Sequence, residues 1–177
     1  MQSDLGIKHS CKPFAHGQYA KVRGITGAWI WTTGRIAAAG DSQAGKYVMR
    51  RYTSNATPAT LNTGTGSSVT SSATNQIAPP NNSTYAFSGL LTARKTASGD
   101  SSAWSFNGLI KRGANAAATA LVASVTPTLI AQDSALSSLA VSVTADTTNG
   151  CLKIEVTGLS STDIYWVANV DTCEATN

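Results

Sequence analysis

From Gly45 onward, apolar and polar residues alternate in short runs. That two-residue period marks half-buried strands. The runs cover residues 46–53, 58–62, 85–95, 103–111, 119–126 and 139–145. In 103–111, Trp104, Phe106 and Ile110 share one side; in 139–145, Leu139, Val141 and Val143 do. Turn-forming residues separate the runs, and residues 63–82 form a Gly/Ser/Thr/Asn loop closed by Pro79-Pro80 with little apolar content for a core. Evenly spaced short strands predict an all-β body, an antiparallel β-sandwich of jelly-roll-like form over 36–177. The alanine-rich 113–120 is too short for a stable helix and reads as a loop leading into a strand.

Residues 1–35 follow another pattern. Glycines recur at Gly6, Gly17, Gly24, Gly27 and Gly34 with no helical period between them. This predicts an extended N-terminal arm with a few short strands, with Phe14, Tyr19, Trp29 and Trp31 as candidate anchors for a partner. His9, Cys11 and His16 are metal-type side chains at loop spacing, but they match no standard zinc pattern. No metal and no cofactor are expected.

Asn149-Gly150 lies between two alternating runs, a signal for a tight hairpin turn. The strand after it, CLKIEV, is expected to pair with YWVANVDTC, Cys151 opposite Cys173. Ile154 then faces Val170, Val156 faces Ala168, and Lys153 meets Asp171, as cross-strand pairing prefers. Opposed Cβ atoms roughly 4.5–5.5 Å apart are near disulfide range. Cys151 and Cys173 are therefore a candidate disulfide, the alternative being two thiols kept reduced in a cytoplasm.

Charge narrows the function. The 177-residue chain carries a formal +4, but only 12% of its residues are charged, about half the usual share. Its basic residues are scattered in pairs, unlike the concentrated charge of nucleic-acid binders, so no nucleic acid is expected. No apolar run approaches the roughly 18 residues of a membrane span, and the first residues lack the apolar core of a secretory signal. Synthesis in a cytoplasm is expected, with no membrane insertion.

Gly40-Asp41-Ser42 resembles the block that presents a nucleophilic serine in one class of hydrolases. Such a serine needs a base within reach, almost always histidine. The chain has no histidine after His16, and GKYVMRR reads as a strand, so the block is expected to be a turn. Most acids sit at predicted turns, where Asp is favoured for local hydrogen bonds. Catalysis is not expected.

GRIAAAGDSQAGKYVMRRYTSNATPATL, NQIAPPNNSTYAFSGLLTARK, SSAWSFNGLIKRGANAAATALVASV and SVTADTTNGCLKIEVTGLSSTDIYWVANVDT follow one another in order over residues 34–173. This series resembles a domain common at the C-terminal end of bacteriophage tail-fibre and related virion proteins. The resemblance implies a β-rich, trimeric, non-enzymatic domain exposed on a virion, made in the host cytoplasm. Its partners would be two further copies, other virion proteins and host-surface carbohydrate.

Two roles fit that resemblance. Tyr52, Tyr165 and Trp166 are candidate glycan contacts for host recognition, the alternative for each being core or interface packing. The stretch before residue 34 is short for a fibre shaft. A short aromatic arm on a compact β body also suits a capsid decoration, or cement, protein. A third reading, from another class, is a surface-glycan hydrolase.

Overall fold

The computed structural model describes residues 12–66 and 69–177. His9 and Cys11 lie outside them. Eleven strands run in chain order: β1 (Phe14–His16), β2 (Trp29–Trp31), β3 (Ser42–Thr53), β4 (Ala59–Thr60), β5 (Ser83–Lys95) and β6 (Ser101–Arg112). Then follow β7 (Thr119–Leu121), β8 (Thr128–Gln132), β9 (Ala140–Asp146), β10 (Cys151–Thr157) and β11 (Ile164–Thr176). The described residues contain no α-helix, and no helix long and apolar enough to cross a membrane.

The strands form two sheets. The larger has the order β1-β2-β3-β11-β5-β6-β7, with β8 also on β6; the smaller is β4-β10-β9. The split is eight to three, uneven for the jelly-roll-like body expected. β1 and β2 run parallel and the other pairs antiparallel.

Alternation explains which face each strand buries. On β11, Ile164, Trp166, Ala168 and Val170 are buried, and the residues between them are exposed or half-buried. They join Tyr85, Phe87 and Leu91 of β5, Trp104, Phe106 and Ile110 of β6, and Leu152, Ile154 and Val156 of β10 in one core. Both sheets thus bury apolar faces in the same interior, each large side chain stabilising by about 1.5–3 kcal/mol. Gly89 is required on β5, because a Cβ there would lie 2.3 Å from the Phe106 ring.

Several expectations need correction. Residues 12–35 do not run free as an arm. β2 pairs antiparallel with β3, β1 pairs with β2, and Ile25, Ala28 and Ile30 are buried in the core. Their apolar side chains gain more from the core than from solvent. Ile77 of the loop predicted to lack core residues is fully buried and bridges Leu152. Residues 113–120 do lead into a strand, through one 3₁₀ turn at Ala116–Ala118.

The hairpin at Asn149-Gly150 exists, but it joins β9 to β10 through a four-residue loop. Asp146 holds it, accepting from the backbone N–H groups of Thr148 and Asn149, both at 3.0 Å, and Gly150 takes φ +70°. The expected pairing of CLKIEV with YWVANVDTC does not form. β10 pairs with β9 and β4, whereas β11 pairs with β3 and β5. Cys151 and Cys173 therefore sit in different sheets as free thiols, one buried and one exposed. Burial pushes the Cys151 thiol up to about 12, and the nearby Asp146 charge adds to this.

Candidate interaction face

Residues paired in register share a face of the sheet. Along one row, Trp29 lies beside Lys46, which pairs with Asp171, which pairs with Ser88. The next row runs Trp31, Ala44, Cys173, Ala86. Another runs Val48, Asn169, Leu90, and the end row runs Tyr52, Tyr165, Arg94. These rows make the outer face of the large sheet, opposite the core. Val48, Leu90 and Val167 are exposed at its centre by 44%, 58% and 48%.

At one end stand the aromatics predicted as arm anchors. Phe14, Trp29 and Trp31 are exposed, and the two tryptophan rings lie 5.7 Å apart. Their inward neighbour Ile30 fixes this orientation by burying itself. Tyr19 does not join them, since the Arg35 guanidinium covers its ring at 4.4 Å. His16 stacks on Phe14.

At the other end, the structure brings together two of the three predicted glycan contacts. Tyr52 and Tyr165 are directly opposed, with ring centroids 5.8 Å apart and tilted by 54°. The Tyr52 hydroxyl donates to Asp163 Oδ1 at 2.6 Å, and that bond raises the phenol's pKa by favouring its protonated form. Arg50, Arg51, Thr96, Asp163 and the two tyrosines line a shallow depression of about 640 Å³. Arg51 is held there by donating to Val69 O at 2.8 Å. The depression combines apolar ring faces with charged hydrogen-bonding groups, the mixture that orients small polar ligands.

Trp166, the third, is not a surface contact. It is 1% exposed, stacks on Trp104 at 6.0 Å and donates its indole N–H to Thr53 Oγ1 at 2.9 Å. Its parity on β11 matches Ile164 and Ala168, so it points inward.

Beneath this face lies a buried polar cluster that sequence reading missed. The Glu174 carboxylate accepts from Gln43 Nε2 at 2.7 Å, Thr172 Oγ1 at 2.9 Å and the Tyr47 hydroxyl at 3.0 Å. Arg23 approaches it at 3.9 Å and donates to Gly40 O at 2.6 Å. Burial and the Glu174 charge both raise the Tyr47 pKa. The cluster ties the segment before β3 to β3 and β11. No spacing rule could show it, because Arg23 and Glu174 are far apart in sequence.

Gly40-Asp41-Ser42 is a turn. The Asp41 carboxylate accepts from the backbone N–H groups of Ile36, Ala37 and Ala38 at 3.0, 2.5 and 2.6 Å. Ser42 Oγ also donates to it, at 3.0 Å. These donors, that of Ala37 first, hold Asp41 well below the usual carboxylate range against the opposing effect of burial. Among the described residues, no group of three or more His, Cys, Asp or Glu is placed to hold a metal ion. Neither a scan of family models nor a search of curated proteins gives a match to this chain.

Proposed function

We propose that the chain is a non-enzymatic structural protein of a bacteriophage particle. It acts as a trimeric β body displayed for attachment to the host surface. The observation that carries the attachment role is the Tyr52–Tyr165 pair, open at the end of the large sheet beside Asp163 and Arg50. Two aromatic faces can stack on the C–H faces of a sugar, while Asp163 and the arginines meet its hydroxyls or acidic groups. A site built on strands keeps that geometry without reorganisation at binding.

The test is binding of the purified chain to host-surface polysaccharide, measured by calorimetry. Binding that is lost in Tyr52→Ala and Tyr165→Ala, with the fold unchanged by circular dichroism, supports the reading. Wild-type chain that binds no host polysaccharide sinks it. A second reading, capsid cementing, is favoured by the exposed aromatics Phe14, Trp29 and Trp31 at the other end of the face. There, Trp29→Ala with Trp31→Ala would abolish binding to capsids and spare binding to cells.

A further inference from the structure

We infer that copies of this chain associate through the outer face of the large sheet, from Trp29 and Trp31 across Val48, Leu90 and Val167. The occupant of the face is a second copy. The inference deepens the oligomeric part of the proposed function and rests on it.

Three features of the face carry it. The first is its size. The central strands β2, β3, β11, β5 and β6, about 4.8 Å apart, and roughly eight residues along them at about 3.4 Å each, project onto roughly 500 Å². The accessible area of a corrugated face is larger, so this is of the order of the ~800 Å² that each partner of a stable interface buries. The second is composition. Val48, Leu90 and Val167 are surrounded by the small side chains Ala44, Ala86 and Thr92. Apolar patches above a few hundred Å² on soluble proteins mark interaction sites.

The third feature is charge. Lys46 and Asp171, in the middle of the face, pair with each other at 3.1 Å. The face therefore carries its own neutralisation and presents no block of one sign. Like charges brought together at an interface cost several kcal/mol, and a copy meeting this surface escapes that cost. A strongly basic or acidic partner would find no complement here. The Tyr52–Tyr165 row lies at the rim, four residues along β11 from Asn169, so association leaves the sugar depression open.

The face carries its own reporter, because the exposed Cys173 lies between Ala44 and Ala86. The experiment is native mass by light scattering, run with maleimide labelling of Cys173 read by peptide mapping, across a dilution series. Association through this face gives a mass of more than one chain. It also slows Cys173 labelling by about tenfold above the dissociation constant relative to below it. Val48→Asp with Leu90→Asp, both at exposed positions, then yields single chains with unchanged circular dichroism and rapid labelling.

The inference is overturned by a single-chain mass at every concentration. It is equally overturned by a multimer whose Cys173 labels at a rate independent of dilution. The wild-type series decides even if the charged variant misfolds. Polysaccharide binding by a strictly single chain overturns this inference and leaves the attachment reading standing. Association through the face with no polysaccharide binding does the reverse.

Discussion

Tyr165 and Trp166 are adjacent on β11, and they meet opposite environments. Tyr165 is 57% exposed and leans on Tyr52; Trp166 is 1% exposed and stacks on Trp104. Cys173 and Glu174 repeat the contrast near the end of the strand, thiol outward and carboxylate inward. The difference comes from the pleat of the strand, not from residue type. The inner face is committed to holding the fold. The outer face is free of that duty and can meet other molecules.

Substitutions on the inner face test the contrast most severely. Trp166→Ala is expected to cost about 3–5 kcal/mol in urea unfolding, because it opens a cavity beside Trp104 and leaves Thr53 Oγ1 without its donor. A cost below about 1 kcal/mol would show that the inner face is not close-packed. Glu174→Gln should cost about 3 kcal/mol, since it removes the charge facing Arg23 and an acceptor shared by three donors. A midpoint equal to wild type at an unchanged m-value would contradict that role. Gly89→Ala drives a methyl group into the Phe106 ring and should cost about 1–3 kcal/mol. Thermal melting of that variant is the direct check.

Acid titration sharpens the comparison at the turn before β3. The folded-state pKa of Asp41 lies below its ordinary value of 3.8. Its contribution is therefore fully present above that value and is lost as pH falls below it. Asp41→Asn should flatten the acid limb of the stability curve below about pH 4. An unchanged limb in urea titrations would refute this. The smallest effect belongs to the outer face: Tyr165→Ala should shift stability by no more than about 0.5 kcal/mol. A loss comparable with that of Trp166→Ala would erase the distinction between the faces.

Much of the fold is legible in the sequence, because alternation gives strands and their buried faces without reference to partners. Trp104, Phe106 and Ile110 were assigned to one side and are all buried. Pairing is less legible, because an alternating run matches many others equally well. The register proposed for Cys151 with Cys173 satisfied charge and apolarity, yet β3 satisfies them too. Asp171 pairs with Lys46, while Lys153 meets Glu155 on its own strand. The inward aim of Trp166 was available from its parity with Ile164, Ala168 and Val170. That Trp29, Trp31 and the two tyrosines share one face was not, since it depends on β2, β3 and β11 becoming neighbours.

The order β3-β11-β5 has a consequence for how the molecule is made. β11 follows every other strand in the chain and lies between two of the longest. As the polypeptide leaves the ribosome, β3 and β5 emerge early, each with a bare edge facing the gap. They stay unsatisfied until the final strand arrives and zips both seams at once. Partners so far apart in sequence make this a slow closure, with sticky intermediates exposed meanwhile. A nonsense codon or protease cut ahead of residue 164 would leave two separate half-sheets for chaperones to hold.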